Sequence, residues 1–119
     1  VMGMQSHVKP NWPGVSGYEN ALKRYLATGV DVHVSEFDIA ATSTDSAKAA
    51  YSEYFKMRKE YGKNYSGKNK ITNVTIWGLN NENSWISKNG TQYPLLFNKI
   101  NNEYIPNDSF DAVIEAAKN

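Results

Sequence analysis

The sequence predicts an α/β fold of parallel strands joined by crossover helices, and three observations carry that prediction. Stretches with strand character alternate with stretches of helical period along the chain, and the order strand, helix, strand, helix, strand, helix implies parallel pairing. Residues suited to chemistry cluster at the end of each predicted strand, at Gln5 and His7, at Glu36 and Asp38, and at Trp77 and Trp85. The length of 119 residues fits one domain, 1–119, and the lack of cysteine removes any disulfide framework or thiolate metal site.

The first strand is predicted over Val1 to His7, with Gln5 and His7 on one face of its end. It starts with no lead-in, as expected of a truncated chain. A Pro/Gly/Trp loop follows from Lys9 to Val15, and Ser16-Gly17-Tyr18-Glu19 then has the spacing of a capping box. Val15, Tyr18, Leu22, Tyr25 and Leu26 recur at helical spacing, so a helix is predicted from about Gly17 to Thr28 with Gly29 as its stop.

The second strand is predicted over Val30 to Phe37. Val30, Val32 and Val34 share parity with Glu36 and Asp38, so regular alternation would line three β-branched residues and two acids along one face. Such an end reads two ways. Either the strand has simply reached water, or a buried strand delivers carboxylates to a site, because buried acids are costly without partners.

A small polar loop, Ala40 to Thr44, leads into a second helix from about Asp45 to Tyr61, with Ala47, Tyr51, Tyr54, Phe55 and Arg58 on one stripe. Gly62 to Lys70 reads as a basic, solvated connection and Ile71 to Gly78 as the third strand. A polar loop from Leu79 to Tyr93 contains Trp85, Pro94-Leu95-Leu96-Phe97 forms a short apolar anchor, and Phe110, Val113, Ile114 and Ala117 mark a terminal helix.

A net charge of +1 with interspersed signs leaves no electropositive face for nucleic acid or an anionic membrane. No apolar run approaches the length of a membrane span, and the N-terminus lacks the sections of a signal peptide. Trp12, Trp77, Trp85 and many of the tyrosines lie near Gly, Asn or Pro. Rings in polar loops suit the stacking of sugars, although core packing accounts equally well for any single one.

Chemistry placed at the C-terminal ends of parallel strands is the signature of a (β/α)8 barrel, and three of its eight units cannot close one, so either the sheet is open or most of the barrel lies elsewhere. Three separated segments then match one family. Gly3-Met4-Gln5-Ser6-His7 is similar to a sixth strand ending in Gln-Ser-His; Gly29 to Ile39 is similar to a seventh strand with a Thr-Glu-Leu-Asp-Ile signature; Val74-Thr75-Ile76-Trp77-Gly78 with Asn83-Ser84-Trp85 is similar to an eighth strand and its tryptophan loop. In order and spacing the whole chain resembles the C-terminal part of a glycoside hydrolase family 10 barrel, the endo-β-1,4-xylanases. Ser35 stands where that family usually has Thr and Phe37 where it usually has Leu. Neither change removes a reacting group.

The resemblance implies the sixth to eighth strands of a TIM barrel, incomplete as a single chain, and a retaining mechanism built on two carboxyl groups. By position Glu36 is the nucleophile, with His7 beside it and Asp38 supporting the other ring nitrogen. Gln5, Trp77 and Trp85 are implied substrate-binding residues, with Asn80, Asn81 and Asn83 offering amides nearby and Trp12 a candidate for a more distant subsite. His33, on the opposite parity, is read as structural. The family's acid/base glutamate, in an Asn-Glu pair after the fourth strand, precedes everything in this sequence. Asn81-Glu82 has the same letters but lies after the last strand, so that role does not transfer. This chain alone is then expected to be inactive, and its implied partner is the N-terminal part of the same barrel, as a second chain or a missing segment. The implied substrate is β-1,4-xylan or a xylo-oligosaccharide, with no cofactor and no metal, in a secreted or cell-surface enzyme. The alternatives are a non-catalytic carbohydrate-binding fragment and a retaining barrel acting on another β-glycan.

Overall fold

A computed structural model describes residues 1–63, 65–86 and 92–118; the part of the polar loop at 87–91 lies outside them. The elements are β1 (Met2–Met4), β2 (His7–Val8), α1 (Val15–Ala27), β3 (Val32–Ile39), α2 (Thr44–Glu60), β4 (Ile71–Ile76), a 3-10 turn (Asn81–Asn83), β5 (Phe97–Ile100), β6 (Glu103–Pro106) and α3 (Asp108–Lys118). β3 is the centre of the sheet. It pairs in parallel with β1 and β2 along one edge and with β4 along the other. The parallel pairing predicted for the three strands is therefore observed.

The predicted strand over Val1 to His7 is divided in two. Ser6 takes φ 71, in the left-handed region, and the Gln5 and Ser6 carbonyls accept from the Glu36 and Asp38 N–H groups at 3.0 and 3.3 Å. The break thus falls opposite the acids and fastens their backbone to the neighbouring strand.

The predicted alternation along β3 also fails, for a physical reason. Val34 pairs with Val74 but Phe37 with Ile76, so β3 carries one more residue than β4 across this stretch. The extra residue is a bulge. Val34 and Phe37 consequently face the same layer, where they line one small cavity with Tyr18, Tyr54 and Phe55, and Glu36 and Asp38 turn to the other side, beside His7. Without the bulge, the acids would share the face of Val32 and Val34, both buried.

On the helix side the core joins Tyr18, Leu22 and Leu26 of α1 to Val32, Val34 and Phe37 of β3 and to Ala47, Tyr51 and Tyr54 of α2. The Phe37 ring packs against Tyr51, Tyr54 and Phe55 with centroids 5.6, 5.9 and 5.3 Å away. Burying a side chain such as Leu22 contributes about 1.5–3 kcal/mol. Arg58, predicted on the buried stripe of α2, is only half-buried, and Met57 takes its place.

Helix ends show where local signals lost to others. The Ser16 to Glu19 capping box does not form, because α1 starts earlier, at Val15, with Gly14 at φ 77 before it and no side-chain cap. Gly29, at φ 96, donates to the Leu26 carbonyl and ends the helix as predicted. α2 is capped by Ser43, whose hydroxyl accepts from Ser46 N–H at 3.1 Å.

Between the apolar anchor and the last helix the chain forms a hairpin that the predicted strand order omits. β5 and β6 pair antiparallel across Asn101 and Asn102, at φ 50 and 64. α3 follows, but its buried positions are Ser109, Ala112 and Ala116. Phe110 and Val113 are half-buried and Ile114 and Ala117 exposed. The predicted apolar stripe is rotated because small residues form the face that α3 buries.

Candidate active site

The register of β2 and β3 sets His7 directly against Asp38. Their side chains meet: His7 Nδ1 lies 2.9 Å from Asp38 Oδ1, and His7 Nε2 lies 3.1 Å from Glu36 Oε1. The second oxygen of Asp38 accepts from the Trp85 indole N–H at 2.7 Å. The Trp85 ring stands edge-on to the imidazole at 5.0 Å and 74°. Four side chains from three segments are thus joined in one chain of contacts, Trp85 to Asp38 to His7 to Glu36.

Burial divides the chain into a buried inner end and a partly exposed outer end. Asp38 is fully buried, whereas His7 and Glu36 keep 24% and 26% of their side chains exposed. Burial pushes the Asp38 carboxyl up, and the hydrogen bonds from His7 and Trp85 oppose it without cancelling it. For His7, burial on its own would lower the imidazole, but the bonds and charges of Asp38 and then Glu36 outweigh it and raise the ring above its ordinary value of 6.5. An imidazolium donates from both nitrogens, and each here has a carboxylate opposite. Among the described residues Glu36 Oε2 has no hydrogen-bond partner, so its lone pairs are open to a substrate.

The remaining predicted residues divide. Trp77 follows β4 and is 45% exposed, its N–H bonded to the Phe37 carbonyl. Trp85 is 60% exposed apart from its bonded edge. Gln5 is exposed and reaches the site through its carbonyl, which holds Glu36 N–H. It lines one open groove with His7 and Trp12. The bond from Trp85 to Asp38 spans 47 residues and has no sequence signal beyond an indole in a polar loop, so Trp85 bonds the acid while most of its ring stays exposed.

Asn80 and Asn81 correct the expectation of amides offered to a sugar. Both are buried. Asn80 Oδ1 accepts from Asn83 N–H at 3.0 Å, while Asn81 accepts from Leu95 N–H at 2.7 Å and donates to Asn98 Oδ1 at 2.9 Å. Glu82 accepts from Lys99 N–H at 2.9 Å, on the hairpin. The parallel sheet under helices is also unlike the antiparallel sandwich of most carbohydrate-binding modules.

Comparison with known proteins gives the family and the fold. The chain is 37% identical over 117 residues to the bifunctional endo-1,4-beta-xylanase XylA of Ruminococcus flavefaciens, covering 98% of this chain and 11% of that protein. It is 43% identical over 103 residues to endo-1,4-beta-xylanase B of Butyrivibrio fibrisolvens, covering 81% and 16%. Its fold superposes with a TM-score of 0.82 and 32% identity on an endo-1,4-beta-D-xylanase 10B structure from Clostridium thermocellum, complexed with xylohexaose, covering 96% of this chain and 22% of that one. The chain therefore spans a tenth to about a fifth of these relatives, and its three βα units are those of a partial barrel. The profile of glycosyl hydrolase family 10 matches residues 1–116, and the chain belongs to that family.

Proposed function

We propose that residues 1–119 are the C-terminal part of the catalytic barrel of a secreted or cell-surface retaining endo-β-1,4-xylanase, and that Glu36 is its nucleophile. The observation that carries this reading is the chain from Trp85 through Asp38 and His7 to Glu36, which supports a partly exposed carboxylate with one oxygen free. In the first step Glu36 attacks the anomeric carbon, forming a glycosyl ester as the bond to the leaving oxygen breaks. The proton for that oxygen comes from a general acid on the rest of the barrel, and water then cleaves the ester with the same group acting as base. His7 stabilises the carboxylate before attack and after hydrolysis, and Asp38 fixes the ring and its charge. Trp77 and Trp85 present apolar faces to the sugar being cleaved, with Gln5 at the edge of the groove. The substrate is β-1,4-xylan or a xylo-oligosaccharide, and the working partner of this chain is the N-terminal part of the barrel.

Substitution of Glu36 tests this in the complete barrel. Glu36→Ala is expected to lower xylan hydrolysis by roughly four or more orders of magnitude while leaving circular dichroism and melting behaviour close to wild type. Azide, entering the space left by the carboxylate, should restore turnover of an activated xyloside with inverted product stereochemistry. Near-normal xylan hydrolysis by Glu36→Ala would sink the assignment.

A further inference from the structure

The donors to Asp38 differ in how they are held. His7 comes from a paired strand, but Trp85 comes from the loop after β4 and is mostly exposed. Beside the Tyr93 N–H bond to the Ala41 carbonyl at 2.9 Å, one peptide group ties the residues after that loop to its start. The carbonyl oxygen of Pro94 accepts from the Tyr51 hydroxyl and from Ile39 N–H at 3.3 Å, and the N–H of Leu95, on the same peptide plane, donates to Asn81 Oδ1 at 2.7 Å. In a trans peptide these two groups point to opposite sides, so the plane is gripped from both. Asn81 lies four residues before Trp85, so the grip fixes the described stretch that leads into the indole.

The surroundings make this clamp rigid. Tyr51 and Leu95 are fully buried. Gly78, at φ 132, lies so close to Leu95 that a Cβ there would stand 2.8 Å from Leu95 Cδ1. Ile39, bonded to the clamped carbonyl, directly follows Asp38. Burial, with the Asp38 charge adding to it, pushes the Tyr51 phenol well above its ordinary value, so it stays a donor wherever the protein is folded. Fixing Asn81 confines Trp85, four residues on, near Asp38, and freeing it lowers the effective concentration of the indole there.

We propose that Tyr51 and Asn81 are positioning residues for the reaction: by clamping the Pro94–Leu95 peptide from opposite sides they hold the Trp85 indole on Asp38 and so tune the Asp38–His7–Glu36 chain from behind the sheet. The inference rests on the role given to Glu36 above, and its test separates the two.

In the complete barrel, kcat/KM for xylan is measured against pH for Tyr51→Phe, Trp85→Phe and the double variant. Losing the indole bond leaves Asp38 a stronger proton acceptor, so Trp85→Phe moves the acid limb to higher pH. Tyr51→Phe is expected to move it in the same direction by less, with kcat/KM down about three- to tenfold at the optimum. The double variant should be no worse than Trp85→Phe. Asn81→Asp, which keeps the acceptor for Leu95 N–H, should preserve the limb, and Asn81→Leu should shift it. Leu26→Ala, a core truncation in α1, should lower stability and leave the limb in place. An unmoved limb in Tyr51→Phe, additive losses, or the same shift in Leu26→Ala would overturn the proposal. Retained hydrolysis in Glu36→Gln would remove the nucleophile reading instead. Hydrogen exchange of the Trp85 indole N–H, faster in Tyr51→Phe if the clamp acts as stated and unchanged if it does not, reports on the clamp independently of activity.

Discussion

The Glu36, His7, Asp38 and Trp85 cluster and the Asn81, Asn98 and Asn107 cluster are both polar networks built across segments distant in sequence, yet they do opposite work. In the first, His7 and Glu36 keep about a quarter of their side-chain surface, and one carboxylate oxygen is free among the described residues. In the second, the amides are spent on the fold. Asn81 uses its oxygen on Leu95 N–H and its nitrogen on Asn98, while Asn107 accepts from Ser109 and Phe110 N–H at 3.0 and 3.2 Å and donates to the Leu95 carbonyl at 3.0 Å. A neutral network whose amide oxygens are taken fixes geometry, whereas the charged one keeps an acceptor unspent. Stability and chemistry should therefore respond separately to changes in the two clusters.

The sharpest break is at Asp38. Asp38→Asn keeps the shape but removes the charge that faces His7, and it should lower activity of the complete barrel roughly 10²-fold. Stability should fall by about 1.5–3 kcal/mol, the range for hydrogen bonds to charged groups. The loss should depend on pH with a definite sign. His7 is raised in the fold, so the stability it gains from its carboxylates is fully present below its ordinary value of 6.5 and is lost as pH rises through the raised value. Asp38→Asn should flatten that slope and bring the His7 midpoint, followed by NMR, down. A midpoint that stays in place would show that Glu36 alone holds the ring.

Much of this cluster is legible in the amino-acid sequence once the family resemblance is added to the order of elements. Alternation of strands and helices makes consecutive strands neighbours, so His7 and the Glu36/Asp38 end fall together whatever the details of the loops. The illegible parts depend on tertiary balance. No Gly or Pro in Val34-Ser35-Glu36-Phe37 marks the bulge; it arises where Phe37 must join the aromatic layer of Tyr51 and Tyr54 while Glu36 meets His7. The hairpin does carry a signal, Asn101-Asn102, since paired left-handed residues suit a two-residue turn. The α3 stripe misleads because apolar periodicity weighs Ile114 and Ala117, whereas the face in contact is set by Ser109, Ala112 and Ala116. Asn80 and Asn81 look like sugar ligands in sequence because nothing local reveals that backbone N–H groups have already claimed their oxygens.

At the other cluster, Asn107→Ala should cost about 1–2 kcal/mol, mostly by removing the cap of α3. The His7 midpoint should not move. Asn107→Asp, which retains the acceptor for Ser109 and Phe110 N–H, should recover much of the loss in a denaturant titration. A shift of His7 in Asn107→Ala would mean that the two networks are coupled and that stability and chemistry do not separate between them.

The smallest expected effect is also the most discriminating. Glu82 belongs to an Asn-Glu pair and lies next to the neutral cluster, where its carboxylate accepts from Lys99 N–H while the residue remains exposed. Exposed charge-assisted contacts of this kind contribute little, because water solvates the carboxylate nearly as well when the bond is absent. Glu82→Gln preserves an acceptor oxygen, so stability should change by no more than about 0.5 kcal/mol. Activity of the complete barrel should stay within about threefold of wild type, since a residue that does no proton transfer forfeits none of the roughly 10²–10⁴-fold that a general acid supplies. A loss of that larger size, with the fold intact, would place both carboxyl groups of the reaction within this chain and move Glu82 from the scaffold to the chemistry. Unchanged activity leaves the partner of Glu36 on the other part of the barrel, and leaves a charged group beside the asparagine network whose only work is to hold a hairpin.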